Sequence, residues 1–455
     1  MGLLSLILHE NLQLVYQLLT IPFALLFYCL ATQGCLTLIN RHVCLMLGGF
    51  LLAVLTMGPY CILLFITSIV FVLLVFLVGP AHIHPWIFGL QMCWQTFWHF
   101  YIQYQQYWLR DAMDPRLSLA MSALMLLSQR VTSVSMDLQE GKVAGPFNRS
   151  FRNQVSSIIP FLSYAFYFPA LLGGPLCPVN TYMTFVEQIT ITPPPSPLTI
   201  LPSKLLQVLA LTALKYLLAS FLQSSRLRSS SPVGSPGIPW IWVFSLVLRL
   251  NYYAHWKASE CLNNAAGLGF SGRGPSGGAV WDRLSDGDAW EIESSVRISA
   301  FARRWNATTA TWLRRLVFHR SSGAWLLATF AFSALWHGLH PGQVMGFLGW
   351  AIAVLADHRL HAHVGPRLST PWRKGLFTCL SWAYTQVVIA WVVAVTELRS
   401  FETASLLGGV SIIHTGISST RAPLKILRSL AQVNRKLLCS ACMFAYSSGQ
   451  VTLHA

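Results

Sequence analysis

The run Ser333-Ala334-Leu335-Trp336-His337-Gly338-Leu339-His340-Pro341-Gly342 closes an apolar stretch that begins near Ala324. An ionisable side chain inside an apolar segment is costly and points to function. Histidine is also the side chain best matched to proton transfer near neutral pH. Helical spacing puts Phe330, Ala334 and His337 on one face, with the small Ala334 leaving room beside the ring. His340 follows at i, i+3. A histidine hydrogen-bonded between helices is the competing reading.

Upstream lies R-I-S-A-F-A-R-R-W-N-A-T-T-A-T-W-L-R-R, residues 297–315. Phe301, Trp305, Trp312 and Leu316 interleave with Arg303, Arg304, Arg314 and Arg315, which predicts one amphipathic helix. Three readings stay open. The helix lies in a membrane interface with its arginines among headgroups; or Asn306 orients a reactant or stabilises an oxyanion; or Asn306-Ala307-Thr308 is a glycosylation sequon on a lumenal loop. Weaker signals surround these. Gly267-Leu268-Gly269-Phe270-Ser271-Gly272 fits a G-x-G-x-x-G pattern without a strand–helix unit around it, so a flexible loop is expected. His358, His361 and His363 read as a solvated loop rather than a metal site, and no metal ligand set is assigned. Cys439 and Cys442 form a single C-x-x-C, too little for zinc or redox chemistry.

Only a membrane can be the solvent for such a chain. Of 455 residues, 54% are hydrophobic and 10% charged, against about 25% charged in soluble domains. The apolar runs are continuous rather than alternating, so helices are expected instead of a barrel. The net charge of +16 is read as basic flanks of membrane spans, not as a nucleic-acid surface. Candidate segments are 12–31, 43–61, 62–79, 85–108, 117–134, 155–176, 200–222, 237–256, 323–340, 342–356 and 376–397. The fold class predicted is therefore all-α: a polytopic transmembrane bundle of about ten or eleven membrane segments with short loops and interfacial helices. The segment at 117–134 is re-entrant or spanning, and 342–356 falls short of a span. The first run lacks a basic leader and reads as a signal anchor. Polar stretches at 129–153, 192–202, 224–239 and 257–322 divide the spans, and Asp282, Asp286, Asp288, Glu291 and Glu293 cluster in the last of them. No internal repeat is visible, which disfavours a repeat-built transporter.

An arginine-rich R-x-W-N followed by W-H-G in an apolar run resembles the membrane-bound O-acyltransferase family. Further blocks carry the resemblance: 126–135 with Glu140-Gly141-Lys142, 168–174, 252–256 and 331–343. They resemble the branch that octanoylates a secreted peptide. The resemblance covers residues 1–400, and implies an endoplasmic reticulum membrane enzyme. Its donor would be octanoyl-CoA, a co-substrate rather than a cofactor, and its acceptor a serine hydroxyl of the peptide hormone ghrelin. It implies His337 as catalytic base, since a serine hydroxyl needs its proton removed, and Asn306 as its partner. Arg303, Arg304 and Arg314 are then candidates for the CoA phosphates. Phe330 and Trp350 are candidates for the acyl pocket, with ordinary core packing the alternative. Glu293 or a neighbouring acid is the candidate for the peptide's amine, against a solvated loop face. Residues 401–455 depart from the family pattern: one more apolar helix is implied there, yet the segment is basic and polar. A catalytically inactive chain with an altered C-terminus, or a transporter or lipid-binding protein, are the alternatives.

Overall fold

The structure, a computed structural model, describes residues 11–399 apart from 112, 144–150, 229–236 and 318–324. The divergent tail, 401–455, lies outside the described residues. The chain begins with α1 (Leu12–Leu19), α2 (Ile21–Thr32), α3 (Leu38–Met57), α4 (Ile62–Leu77), α5 (Ile83–Tyr104) and α6 (Pro115–Gln139). Next come α7 (Phe151–Ala165), α8 (Val179–Gln188), α9 (Leu201–Arg228) and α10 (Ile238–Ala265). A two-residue antiparallel pair follows, β1 (Gly272–Arg273) with β2 (Ala279–Val280). Short helices α11 (Ala289–Glu293), α12 (Ile298–Arg304) and α13 (Ala307–Leu316) lead to α14 (Trp325–His337), α15 (Pro341–Val364) and α16 (Pro371–Leu398).

Capping residues set several starts. Thr37 accepts from the Asn40 amide ahead of α3, and Asp114 accepts from the Arg116 amide, with Pro115 opening α6. Each satisfies an otherwise orphaned donor. Five stretches among the described residues are long and apolar enough to cross a membrane: Leu12–Thr32, Leu38–Leu77, Pro115–Gln139, Leu201–Ser224 and Pro371–Leu398. The second is two helices. Phe50 and Phe65 stack with ring centroids 4.7 Å apart, whereas a straight helix would separate them by about 22 Å. The chain therefore turns back at Gly58, whose φ is 56°. The remaining expected segments are helices that carry polar residues or fall short of a span, α14 among them at 13 residues. The segment expected to stop at 356 continues as α15 through Val364.

Two apolar cores result. One joins α2 to α8 around Phe27, Leu45, Leu63, Phe71 and Leu124. The other joins α9, α10, α12, α15 and α16 around Val247, Leu250, Phe301, Trp350 and Ile389. Between them Met92, Met136, Trp312, Leu316 and Trp336 form a smaller cluster from α5, α6, α13 and α14. The elements that carry the two sequence motifs thus meet at the seam.

The stretch 129–153 was expected to be a polar divider, but its first part is the second half of α6, and Leu127 to Leu138 are all buried. Several of its polar groups find partners. Arg130 donates to the Ala165 carbonyl at 3.0 Å, His84 Nδ1 meets Ser135 Oγ at 2.8 Å, and Asp137 pairs with Arg315 at 2.7 Å. The first half of the G-x-G-x-x-G segment is a buried turn, where a flexible loop was expected: Leu268 is fully buried, and a Cβ on Gly269 would lie 1.8 Å from Asn264 Oδ1, while Ser271 is exposed.

Candidate active site

His337 is the last residue of α14. The helix ends because the Gly338 amide donates to the Leu335 carbonyl (3.1 Å) and the Leu339 amide to the Ala334 carbonyl (3.0 Å), a Schellman closure with glycine in its left-handed position. Gly338 has φ 116° and Leu339 φ 57°. This reversal corrects the expectation that His340 sits one turn along the same helix; it caps the start of α15 instead. The His337 ring is sandwiched by aromatics, stacked on Phe347 at 5.0 Å and edge-on to Trp336 at 5.1 Å.

A polar stripe on α5, not foreseen from the sequence, holds this turn. Gln95 Nε2 donates to the Trp336 carbonyl at 2.6 Å, and His99 Nε2 donates to the same carbonyl at 3.1 Å. A carbonyl only accepts, so the His99 proton sits on Nε2. Gln103 donates to the Gly338 carbonyl, and just beyond α5 Tyr107 bonds His340 Nδ1 at 3.2 Å. Residues 95, 99, 103 and 107 recur every four positions. That period was the available signal, a polar line along a span.

The expected single helix over 297–315 is two. At Asn306 the backbone is left-handed, φ 46° and ψ 59°, which turns α12 into α13. Asparagine tolerates that conformation better than most residues. Its Oδ1 accepts from the Thr309 amide at 3.4 Å, which leaves the amide NH₂ as the free end of the side chain. The next helix docks on α6: Gln129 Nε2 donates to Thr309 Oγ1 at 3.1 Å, and Trp312 Nε1 donates to Thr132 Oγ1 at 3.2 Å. Phe301, Trp312 and Leu316 are buried, so the apolar face packs on protein, while Arg303, Arg304 and Arg314 stay exposed. The sequon is folded inward too. Thr308 donates to Asp286 and accepts from the Leu176 amide at 2.9 Å. Burial pushes the Asp286 carboxyl up to about 6, against the hydrogen bond from Thr308.

His337 and Asn306 line one cavity of about 1440 Å³. Phe330 and Trp350 also line it, with ring centroids 5.6 Å apart. Arg303 and Arg314 reach it, as does His358, which lies on α15 and not on a solvated loop. His99, His340, Glu397 and Arg399 are further lining residues. Two candidates are elsewhere. Arg304 bonds the Glu291 carbonyl at 2.7 Å and Ser295 Oγ at 3.1 Å. Glu293 grips the fully buried Arg249, with Nε to Oε1 at 2.7 Å and the second pair at 3.2 Å, and accepts from Tyr253 at 2.8 Å. It also lies outside the cavity lining, so the assignment of Glu293 to a peptide amine gives way to a structural ion pair. Of its neighbours, Asp288 caps α11 and Asp282 accepts from Ser271.

The family model for membrane-bound O-acyltransferases matches residues 148–365. The chain is 39% identical over 391 residues to the membrane-bound ghrelin O-acyltransferase MBOAT4 of Mus musculus, covering 85% of this chain and 89% of the relative. For the Rattus norvegicus protein of the same name the identity is 38% over 394 residues, with the same coverage. Membrane-bound glycerophospholipid O-acyltransferase 2 of Homo sapiens is 27% identical over 394 residues, covering 80% of this chain and 74% of the relative.

Proposed function

The chain belongs to the membrane-bound O-acyltransferase family, and from that premise we propose that it transfers a medium-chain acyl group, octanoyl, from acyl-CoA to a serine hydroxyl of a secreted peptide, the ghrelin precursor, in the endoplasmic reticulum membrane. The observation that carries the reading is the convergence of His337, Asn306, Phe330 and Trp350 on one cavity. Peptide acylation is preferred to lipid acylation because the peptide-modifying relatives are the more similar, 39% against 27% identical.

In this mechanism His337 takes the proton of the acceptor hydroxyl while the oxygen attacks the thioester carbonyl. The tetrahedral intermediate carries its charge on the former carbonyl oxygen, and the Asn306 amide NH₂ donates to it. Collapse expels the CoA thiolate, which recovers the proton from His337. The products are an ester and free CoA, and no electrons change hands. Arg303 and Arg314 attract the CoA phosphates. Phe330 and Trp350 receive the acyl chain.

The test is transfer from labelled octanoyl-CoA to a serine peptide by membranes containing the chain. His337→Ala is expected to abolish ester formation while the protein still accumulates. Full activity of that variant would sink the assignment, and efficient acylation of a lysophospholipid with none of the peptide would favour the lipid reading.

A further inference from the structure

Among the described residues that line the cavity, Glu397 is the one carboxylate, in a wall that also carries Lys215, Arg303, Arg314 and Arg399. It lies in the same layer as the candidate catalytic pair. A Cβ on Gly346 would fall 2.2 Å from Thr396 Oγ1, so α15 and α16 touch there. Gly346 adjoins Phe347, whose ring stacks on His337 at 5.0 Å, and Glu397 follows Thr396. From the opposite side Tyr252 donates to Glu397 Oε1 at 2.5 Å, and the Tyr252 ring lies 5.6 Å from Trp305, the neighbour of Asn306. That bond holds one carboxylate oxygen in place. Among the described residues no ion pair reaches Glu397.

We propose that Glu397 binds the ammonium group of the acyl acceptor, the α-amine of a peptide whose reactive serine lies a few residues away. The proposal rests on the acyl-transfer reading above. A polyanionic donor is repelled by this carboxylate and drawn to Arg303 and Arg314, so Glu397 discriminates in favour of the other substrate. A carboxylate anchored on one oxygen by a tyrosine keeps the second for a charge-assisted hydrogen bond, which suits an ammonium donor. Because it shares a layer with His337, it fixes the amine close to the hydroxyl to be acylated. A short peptide segment can bridge the two, at about 3.3–3.6 Å per residue when extended.

The experiment compares free-amine and N-acetylated acceptor peptides with the native chain, Glu397→Gln and Glu397→Asp. Glu397→Gln keeps the acceptor for Tyr252 and loses the charge. It is expected to raise the KM for the free-amine peptide about tenfold, to leave the donor KM unchanged, and to erase the penalty for acetylation. Glu397→Asp is expected to keep the preference for the free amine. An identical acetylation penalty in the native chain and Glu397→Gln overturns the proposal, as does loss of the preference in Glu397→Asp. If the native chain acylates lysophosphatidylethanolamine and no peptide, the reading of the acceptor has failed; the ammonium site is then tested by the preference for that lipid over lysophosphatidic acid, which Glu397→Gln must abolish.

Discussion

A Cβ added to Gly338 would lie 2.8 Å from His99 Nδ1, and the backbone φ of 116° disfavours any L side chain there. The glycine after His337 therefore serves the turn and the close approach of α5 together. Gly338→Ala is expected to cost about 1–3 kcal/mol from backbone strain, and to lower kcat more than substrate affinity, because it displaces His337. Adding His99→Ala relieves the clash and not the strain. It also removes the His99 bond to the Trp336 carbonyl, so the double variant is expected to lose less stability than the sum of the two single losses, read by thermal unfolding in detergent and compared through a double-mutant cycle. Strict additivity would show that the two residues do not meet. The arginines separate in the same residue-by-residue way. Arg303 lines the cavity, whereas Arg304 is tied to the Glu291 carbonyl and Ser295. Arg303→Gln is expected to raise the donor KM several-fold, in keeping with loss of a charged hydrogen bond. Arg304→Gln should leave the donor KM alone and lower stability modestly. Equal effects on the donor KM would contradict the placement of both side chains. The sequence showed a row of basic residues here and could not tell them apart, since periodicity does not record which neighbouring arginine finds a backbone partner and which reaches the cavity.

That break is the main thing hydrophobic periodicity could not show at the level of elements. The pattern over 297–315 runs on through Asn306 as though one helix continued, because periodicity records which residues are apolar and not a single left-handed φ. His337 was legible for the opposite reason: a histidine closing an apolar run stands out in composition. The stripe Gln95, His99, Gln103 was diluted among Trp, Phe and Tyr, and 129–139 read as a divider because Gln129, Thr132 and Asp137 find their partners on α13, which lies far along the chain. Asp286 joins these elements, accepting from Thr308 while its own carbonyl accepts from the Ala307 amide at 3.1 Å. Its carboxyl is raised from 3.8 to about 6 by burial. The folded chain thus holds this proton more tightly than the unfolded chain. The stabilising contribution of the protonated form is complete below about pH 4 and is lost as pH rises through about 6. Asp286→Asn retains an acceptor for Thr308 and carries no charge. It is expected to stabilise the protein at pH 7 by on the order of 1–3 kcal/mol and to flatten the pH dependence between 4 and 6. A variant less stable than the native chain at pH 7 would mean that the carboxylate itself is required.

Over the whole molecule, the cavity is lined by both cores, Ile102 and Leu172 from one and Val247 and Trp350 from the other. The α14–α15 pair forms one wall, and its geometry sets the depth. His337 stacks on Phe347, and farther down the same helices Phe330 meets Trp350 at 5.6 Å. Phe330 lies seven positions before His337 on α14, about 10 Å along the axis at 1.5 Å per residue. On the acyl-transfer reading proposed above, a chain of about eight carbons would span that rise from a thioester beside His337 to the aromatic pair. Trp350 also packs against Phe301, ring centroids 6.3 Å apart, so the floor is braced from behind by α12 and does not yield easily. Each buried methylene contributes about 0.8 kcal/mol while it fits, and one that clashes is rejected. Truncating the floor should therefore move the optimum rather than abolish transfer. Phe330→Ala and Trp350→Ala, assayed against a ladder of acyl-CoA lengths, are each expected to shift preference toward longer chains. Phe330→Ala should give the cleaner shift, because Trp350 is more deeply buried and its loss also opens a void in the second core, at about 3–5 kcal/mol for such a truncation. Uniform loss at every length in both variants, with the protein still folded, would assign the pair to the core alone and place the length-setting wall elsewhere in the cavity.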